Sequence, residues 1–413
     1  MSKHIVFIEM SLTGAGEKAV EYAVNCGYEV TIVSRTPHKY DSTILKTAKV
    51  FECDTNDLEQ LAIGICKLND RKKIDGITTT ADFYVPQAAY AAEKLHLISM
   101  SYDAAVSARN KYLMRLRLQE HCPHLNPPFR LVNSVVEALD TAGAWGYPII
   151  AKPLDANDSL NVRRIKSPVE LEQYMEEAKN WGHYGAAKDY AGSVLLEGYI
   201  EGEEYSIETV QHKNGDIQCM GVTGKVLIGG ERGFFVEAGV LFPIRTPEAD
   251  LLYKEVAQAL GKLQIDCGVI HTECRIKDGN VKILEINPRL MGDMAGSHMI
   301  EAALGANPIQ QVVEIALGNE VPWKPLKEEG AAMFGAIIPS TGIFAGIENL
   351  EEIQRLPGVQ AIKIVAEEGQ RYVNPPESNG DMLLRLVTGA ETPEKALKLA
   401  MEAAAAAKIK VLS

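Results

Sequence analysis

Residues 282–293, with the sequence KILEINPRLMGD, contain the feature that most restricts what this chain can fold into. The stretch begins with the alternating pattern of a half-buried strand, and alternation places Ile283, Glu285 and Asn287 on one face. A carboxylate and an amide are unfavourable to bury without a partner. We therefore expect a partner over this face, and a divalent cation suits both groups.

The preceding residues predict the second strand of a hairpin. If residues 278–280 form a three-residue loop, Glu273 lies directly opposite Glu285, and His271 lies opposite Asn287. Like charges directly opposite each other destabilise a sheet unless something neutralises them. Mg²⁺, which prefers oxygen ligands, would neutralise this pair.

Two alternatives stay open for the hairpin. A two-residue Asp-Gly turn would pair Glu273 with Leu284 and remove the argument from register. The two glutamates of an exposed hairpin would also be stable when simply solvated. The interpretation as a metal site therefore needs support from other segments.

The composition excludes several classes of function. Of the 413 residues, 46% are hydrophobic and 23% charged, and the formal net charge of −13 argues against nucleic acid or an acidic membrane as partner. The 7 cysteines are scattered without a CxxC pair, which is typical of reduced thiols rather than disulfides or a zinc site. Because no apolar run reaches membrane-spanning length, we expect a soluble, cytoplasmic protein.

The first part of the chain predicts a small parallel sheet. HIVFIEM and YEVTIVS read as buried strands around a helix, and IDGITTT and HLISM read as later strands. Residues 1–105 are therefore expected to form a doubly wound α/β domain. The TGAG stretch lacks the GxGxxG spacing of a dinucleotide site, so NAD is not expected.

Two lysines and an acidic stretch upstream of the hairpin suggest a nucleotide site. Lys111 lies near the start of a predicted helix, where the helix dipole and the ammonium favour a phosphate. Lys152 ends the apolar run YPIIA, where its charge calls for an anion. The edge stretch from Glu197 to Ile200 offers backbone groups to a base, and Glu204 offers a carboxylate to ribose. Each lysine alone would equally suit a solvated surface.

Taken in order along the chain, these residues resemble the ATP-grasp superfamily. The resemblance covers residues from about 105 to 320, and the LEINPR stretch and the separation of the two hairpin glutamates are its most specific features. It implies an α/β ATP-grasp fold with a doubly wound N-terminal domain and a C-terminal accessory α+β lobe. The implied domains are 1–105, 106–322 (a phosphate-covering part at about 128–196 and a nucleotide and metal part at 197–322) and 323–413.

The resemblance also implies how ATP would be held. Lys111 and Lys152 would contact the phosphates. Glu197 and Ile200 would hold adenine through their backbone, and Glu204 would hold the ribose. ATP would thus be bound by residues that are spread over two parts of the chain.

The implied metal ligands are Glu273, Glu285 and Asn287, which would bind Mg²⁺, with Mn²⁺ as an alternative. Arg289 would stabilise an acyl phosphate and the tetrahedral intermediate that follows it. A carboxylate is a poor electrophile, and phosphorylation by ATP activates it for attack by an amine. Phosphoryl transfer depends mainly on positioning and charge neutralisation, which explains the lysines, the metal and the arginine.

One segment departs from the family pattern. Many relatives cover the phosphates with a glycine-rich loop, whereas residues 154–162 of this chain, LDANDSLNV, contain no glycine. Asn and Asp tolerate positive φ, so backbone amides of this loop can still reach a phosphate. Ser159 would donate a hydrogen bond from its hydroxyl to a phosphate.

Within the superfamily, the layout resembles the L-amino-acid ligases, which join two unprotected amino acids into a dipeptide and are often homodimers. TTTADFYVP, GFFVEAGVLFP and NPRLMGD carry this likeness. It implies that Glu237, Gly292 and Asp293 bind the amino-acid substrates, although Glu237 would equally suit solvent. Some dipeptide ligases have a bulky apolar residue near Asp293, and an acid there would favour Arg or Lys as the N-terminal substrate. Asp82 either faces the cleft or caps a loop, and we expect the cap.

Two other functions remain open. The chain resembles ATP-grasp ligases and carboxylases of other specificity, which would act on another carboxylate and amine. The glycine-free loop also keeps open a second alternative, a regulatory protein that binds ATP without turning it over. Both lysines, all three implied metal ligands and Arg289 are present, which favours an enzyme.

Overall fold

The computed structural model describes residues 2–181, 193–213 and 215–412. Its N-terminal part is a parallel sheet with strand order β3-β2-β1-β4. The strands are β1 (His4–Ile8), β2 (Glu29–Ser34), β3 (Lys49–Glu52) and β4 (Gly76–Thr78). The helices of this part are α1 (Ala15–Asn25), α2 (Ser42–Thr47), α3 (Leu58–Arg71) and α4 (Val85–Lys94).

Both faces of this sheet are covered, which explains why β1 is apolar throughout. Ile5 and Phe7 belong to one hydrophobic core, and Val6 and Ile8 belong to another. A parallel sheet buried on both faces is expected to have such continuous apolar strands. The predicted doubly wound arrangement is confirmed.

The strand predicted at residues 96–100 is wrong. His96 has φ +54, and no strand forms there. Met100 instead packs in the large core, and Leu97 packs against the smaller one. The apolar residues of this segment are used for packing between elements rather than for a sheet edge. The sheet's fourth strand is β3, whose short and largely exposed sequence gave little signal.

The middle of the chain forms a small antiparallel sheet with order β5-β8-β6-β7. Two helices lead into it, α5 (Tyr102–Arg109) and α6 (Lys111–His121). The sheet and its two helices comprise β5 (Phe129–Val132), α7 (Val135–Trp145), β6 (Ile149–Lys152), β7 (Arg163–Ile165), α8 (Pro168–Ala178) and β8 (Val194–Gly198).

A larger sheet of eight strands has the order β13-β12-β9-β10-β11-β14-β18-β16. Before residue 320 its elements are β9 (Glu203–Gln211), β10 (Gln218–Ile228), β11 (Val236–Phe242), α9 (Ala249–Lys262), β12 (Gly268–Lys277), β13 (Asn280–Asn287), α10 (Ile300–Leu304) and α11 (Pro308–Ala316). After it come β14 (Gly330–Ile337), β15 (Gly342–Ile347), α12 (Leu350–Gln354), β16 (Val359–Ile364), β17 (Arg371–Tyr372), β18 (Met382–Ala390), α13 (Pro393–Ala405) and β19 (Ile409–Leu412).

The C-terminal residues extend this sheet without a break, because β14 pairs with β11 on one side and β18 on the other. A separate three-stranded sheet, β17-β15-β19, lies beyond them. The α/β class is confirmed. Among the described residues, no helix is long and apolar enough to cross a membrane.

The hairpin of β12 and β13 has the predicted pairing for an unpredicted reason. Asp278 and Gly279 both have positive φ, at +50 and +74, so the loop has two residues and the geometry of a type I′ turn. The three-residue loop was therefore wrong. A β-bulge at Leu284 shifts the register by one, and Glu273 again lies opposite Glu285.

The bulge also changes which side chains share a face. Ile283 lies in the large core together with Ile286, whereas Glu285 and Asn287 line a cleft. The prediction that Ile283 shares a face with the two polar residues was wrong, because the extra residue reverses the alternation. One strand thus supplies both core and cleft residues.

The turn geometry gives a matched pair of substitutions. Gly279→Ala should destabilise the protein by about 1 kcal/mol, because alanine is strained at positive φ even though its Cβ would meet no atom within 4 Å. Gly143→Ala, inside α7 and equally unobstructed, should stabilise it by about 0.5–1 kcal/mol. Thermal unfolding of both variants measures this, and shifts of the same sign would contradict the turn assignment.

Candidate active site

Every site residue predicted from the sequence lines one cleft, which lies between the small antiparallel sheet and the eight-stranded sheet. These residues are Lys111, Lys152, Ser159, Glu197, Ile200, Glu204, Glu237, Glu273, Glu285, Asn287, Arg289, Gly292 and Asp293. Their roles remain predictions, since the structure shows their placement alone.

A buried arginine on α6 joins the two sides of the cleft. Arg115 is 0% exposed, and its Nε and Nη2 donate to the two carboxylate oxygens of Glu197 at 2.6 and 3.0 Å. Its Nη1 and Nη2 also donate to the carbonyl oxygens of Ile283 and Leu284, at 2.7 and 2.9 Å. The guanidinium therefore satisfies backbone acceptors at the bulge and fixes β8 against β13.

The two predicted phosphate lysines each have an acidic partner. Lys152 ends β6, and its Nζ lies 2.9 Å from Oε2 of Glu197. Burial lowers the pKa of Lys152, and the nearby Glu197 carboxylate opposes this effect. Lys111 begins α6 and donates to Oε1 of Glu285 at 2.9 Å and to the carbonyl oxygen of Ala156 at 2.7 Å. Lys111 is therefore paired with a predicted metal ligand, whereas Lys152 is paired with Glu197.

Glu197 is predominantly ionised despite its burial. Burial disfavours its charged form, but Arg115 and Lys152 outweigh this and hold the pKa of Glu197 at about 2. Its side chain is thus fully engaged. A contact of Glu197 with a nucleotide would have to use the backbone, as the resemblance implies.

The predicted base and ribose residues share a second arginine. Arg275 of β12 donates through Nη1 to the carbonyl oxygen of Ile200 at 2.6 Å and through Nε to Oε2 of Glu204 at 3.0 Å. Its guanidinium also lies 5.5 Å from the ring centroid of Tyr199. Arg275 therefore holds the segment between β8 and β9 against the large sheet.

A buried lysine that the sequence analysis did not identify lies among three carboxylates. Nζ of Lys225, on β10, is 3.1 Å from oxygens of both Glu237 and Glu273 and 3.5 Å from Glu204. Burial disfavours its charge, but Glu273, Glu237 and Glu204 outweigh this and raise the pKa of Lys225 well above its usual value. Lys225 thus compensates much of the negative charge on this wall of the cleft.

A buried histidine supports Glu273 from behind. Nδ1 of His271 lies 2.9 Å from Glu208, and Nε2 lies 3.2 Å from Oε1 of Glu273. Thr223 donates to Glu208 at 3.0 Å. Burial lowers the pKa of His271, but Glu208 and Glu273 together raise it to about 9. The imidazolium therefore orients the Glu273 carboxylate toward the cleft.

The three predicted metal ligands fit a hard divalent cation. Glu273 and Glu285 are directly opposite each other, and Asn287 follows on the same side. Carboxylate and amide oxygens are suitable ligands for Mg²⁺. Across the part of the chain that the structure describes, no group of three or more His, Cys, Asp or Glu side chains has metal-binding geometry. The predicted set is not such a group, because its third ligand is the side-chain amide of Asn287.

The glycine-free loop adopts the backbone geometry that glycine usually supplies. Asp158, Ser159 and Asn161 have φ of +55, +56 and +59. The prediction that Asn and Asp would tolerate positive φ here is confirmed, and a serine does so as well. The backbone N–H of Asn379, in the C-terminal lobe, donates to the carbonyl oxygen of Asp158 at 3.0 Å. The loop is thereby joined to that lobe.

Asp82 does not cap a loop, so that expectation was wrong. Its Oδ1 accepts a hydrogen bond from Nε of Arg289 at 2.9 Å, and its Oδ2 lies 3.2 Å from Nε of Arg109. Burial opposes ionisation, but Arg109 and Arg289 outweigh it and lower the pKa of Asp82 to about 2. The N-terminal domain thus orients the arginine that was predicted to be catalytic.

Asp293 is not a free acid. Nε of Arg385, on β18, lies 3.0 Å from its Oδ2, and Nη1 of Arg385 donates to the carbonyl oxygen of Glu237 at 3.3 Å. The expected preference for a basic substrate was argued from an acid at this position, and Arg385 compensates the charge of that acid. The pairing arginine is far along the chain, on a strand that the sequence analysis did not connect to the cleft.

Two protein families match this chain. Residues 145–298 match the ATP-grasp domain, and residues 336–411 match the L-amino acid ligase C-terminal domain 2. The fold is similar to that of the L-amino acid ligase from Bacillus licheniformis, with a TM-score of 0.81 and 22% sequence identity. That similarity covers 100% of this chain and 99% of the other. The predicted ATP-grasp fold is confirmed.

Curated proteins of similar sequence include an ATP-grasp enzyme and a carbamoyl phosphate synthase chain. The ATP-grasp enzyme fsqD of Aspergillus fumigatus is 26% identical over 57% of this chain and 44% of its own length. The carbamoyl phosphate synthase large chain of Thermotoga petrophila is 24% identical over 72% of this chain and 26% of its own length. The chain therefore spans less than half the length of both relatives.

The buried Arg115 gives a first prediction for the site. Arg115→Met should lower the free energy of unfolding by about 3–5 kcal/mol, because it leaves the buried Glu197 carboxylate and the bulge carbonyls without their donor. Arg117→Met, on the same helix and paired with Asp103 at the surface, should change stability by less than about 1 kcal/mol. Denaturant unfolding of both variants measures the difference, and equal effects would contradict the proposed linking role.

Asp158 gives a second prediction. Desolvation of the Asp158 carboxyl in the cleft is the main cause that raises its pKa from 3.8 to about 6, and repulsion from Asp293 is the second. The folded protein therefore retains a proton between pH 4 and 6 that the unfolded chain releases, and stability falls as the pH rises through this window. Above pH 6, Asp158→Asn should raise the melting temperature by roughly 1–3 °C, because solvent screens part of the repulsion.

This gain should vanish below pH 4, where the wild-type carboxyl is neutral. Melting temperatures of both proteins across pH 3.5–8 provide the measurement. Asp70→Asn, on the exposed side of α3, is the control and should follow the wild-type profile. A gain from Asp158→Asn that is the same at all pH values would contradict the charge argument.

Proposed function

We propose that this chain is an ATP-dependent ligase that joins two unprotected L-amino acids into a dipeptide, and its matches to the ATP-grasp domain and to the L-amino acid ligase C-terminal domain 2 support this proposal. The observation that carries the proposal is the convergence of all predicted site residues on one cleft, to which the C-terminal lobe also contributes. The products would be a dipeptide, ADP and phosphate.

We assign Lys111 and Lys152 to the ATP phosphates. In the structure their ammonium groups are paired with Glu285 and Glu197, so they are held at fixed positions before ATP binds. Glu197 and Ile200 would hold adenine through backbone atoms, and Glu204 would meet the ribose. Ser159 would donate its hydroxyl from the loop above.

Mg²⁺, when bound, supplies positive charge to the phosphates. Glu273, Glu285 and Asn287 would provide its oxygen ligands. Lys225 and Lys111 now neutralise the two glutamates, and both pairs would rearrange when a cation enters. Positioning and charge neutralisation are what phosphoryl transfer requires.

In the first step, a carboxylate oxygen of one amino acid attacks the γ-phosphorus, the bond to the bridging oxygen breaks, and ADP leaves. In the second step, the neutral amine of the other amino acid attacks the acyl carbon. Arg289 donates hydrogen bonds to the oxygen that becomes negative. The tetrahedral intermediate then expels phosphate, and the amine loses its proton.

Asp82 would keep Arg289 in position during these steps, because the carboxylate is buried and already bonded to Nε of that guanidinium. Glu237 would lie near the amino group of a substrate, and Gly292 and Asp293 near the acyl side chain. The homodimer, the cytoplasmic location and the predicted domain bounds remain predictions.

An ATP-grasp enzyme of other specificity is the second candidate, since the Thermotoga petrophila relative is a carbamoyl phosphate synthase subunit. Such an enzyme would use the same phosphate and metal residues with another carboxylate and amine. The match of residues 336–411 favours the amino-acid ligase.

The proposal is tested by measuring the release of ADP and phosphate from MgATP in the presence of every pair of the twenty amino acids. Mass spectrometry identifies the products. We expect a dipeptide mass that accompanies ADP. Arg289→Met should reduce turnover by about 10²–10³-fold while stabilisation by MgATP persists. Arg245→Met, at a surface ion pair with Glu328, is the control with unchanged turnover.

If no pair causes release of ADP although MgATP still raises the melting temperature, the proposal of a dipeptide ligase is overturned. The same screen with other carboxylates and amines would then separate an enzyme of different specificity from a regulatory ATP-binding protein. Only an enzyme would show ADP release that depends on a second substrate.

A further inference from the structure

The C-terminal lobe places a buried cation directly behind the cleft. Arg385 is 2% exposed and lies on β18 directly opposite Gly335 of β14. A Cβ at position 335 would be 2.7 Å from Sδ of Met382 and 2.8 Å from Nη1 of Arg385, so a larger residue there would make both side chains shift. The glycine therefore leaves room for the guanidinium.

The guanidinium has one carboxylate partner that reaches the cleft. Asp293 is 31% exposed, lies 3.0 Å from Nε of Arg385, and has φ +52. It follows Arg289 by four residues and lines the same cleft. The Asp293–Arg385 pair is thus a polar feature of the cleft wall that carries the arginine proposed to act on the acyl carbon.

Apolar and charged side chains both lie near this pair. Met291 and Met333 line the same cleft as Asp293. Arg289 is bonded to Asp82, and Asp158 is a further acidic group close to Asp293. Because Arg385 compensates the Asp293 carboxylate, the pair offers no unpaired charge to a cationic or an anionic side chain. Either charge would lose hydration without gaining a free partner, so the pair disfavours both.

We propose that Arg385 is a specificity-determining residue, which neutralises Asp293 so that the activated amino acid has an uncharged side chain. This inference rests on the proposed ligase function. It assigns the specificity of the first substrate to a residue of the C-terminal lobe, on a strand that pairs with β14 and β16.

The test compares L-lysine with L-methionine as the activated amino acid, with the amine acceptor found in the pair screen. Arg385→Gln should raise the ratio of kcat/KM for lysine to that for methionine by about 10-fold, because it leaves Asp293 without its cation. Arg385→Lys keeps the charge and should retain the wild-type ratio. Arg385→Gln/Asp293→Asn removes both charges and should also restore it.

Lys363→Gln is the matched control. Lys363 lies opposite Arg385 on the neighbouring strand β16, but its Nζ contacts Glu17 at 3.0 Å, away from the cleft. This variant loses the same charge from the same region of the sheet, and its substrate ratio should equal that of the wild type. A changed ratio in Lys363→Gln would show that lost charge in the lobe acts indirectly, and would overturn the proposal.

An unchanged ratio in a folded, active Arg385→Gln variant would equally overturn it. If that variant does not fold, Asp293→Asn gives the reciprocal test, because it leaves the cation unpaired and should favour L-glutamate over L-glutamine. The absence of that gain would count against the proposal.

Failure of the proposed function is separable from failure of this inference. If wild-type protein releases no ADP with any amino acid, the ligase is excluded. The charge preference is then read from the melting temperature with a non-hydrolysable ATP analogue, Mg²⁺ and each amino acid. Arg385→Gln should be stabilised more by lysine than wild-type protein is, and equal stabilisation would refute the role of Arg385.

Discussion

The fully buried guanidinium of Arg115 is the contact on which the cleft depends. It binds a carboxylate on one sheet and two backbone carbonyls on the other, so its position is shared by both walls. The carbonyls belong to the bulge that directs Glu285 toward the cleft, and the carboxylate belongs to the residue that holds Lys152. A single cation thus aligns a lysine that is predicted to contact phosphate with a carboxylate that is predicted to bind metal. Buried ion pairs stabilise a fold weakly, but they are effective at fixing geometry.

Several other charged side chains near the cleft follow the same pattern, because a different element supplies an opposite charge to each of them. Lys225 lies among three glutamates, Asp82 lies between two arginines, and Arg385 is paired with Asp293. Such pairing keeps the side chains in one orientation while substrates are absent. A ligand that brings its own charge then exchanges partners with groups that are already in place, which reduces the reorganisation needed during catalysis.

The sequence predicted which side chains meet in the cleft better than it predicted the contacts that hold them. Glu285, Asn287 and Arg289 form a local pattern, and their residue types alone suggested the role. Arg115 and Arg385 gave no such signal, because their partners are distant along the chain and a lone arginine on a helix or strand usually lies at the surface. The bulge at Leu284 was equally hidden, since nothing in an apolar alternation marks the residue that will be extra. The strand expected at residues 96–100 failed because apolar residues pack between domains as readily as in sheets.

The two regions that match known families share strands of one continuous eight-stranded sheet. Strand β11 carries Glu237 and pairs along its outer side with β14, the first strand of the C-terminal part. A chain cut between them would present a row of unsatisfied amides and carbonyls on β11, which is a template for association with other strands. The domain that matches the ATP-grasp family alone would therefore be prone to aggregation when isolated. Exchange of C-terminal lobes between relatives would succeed only where the β11–β14 ladder keeps its register.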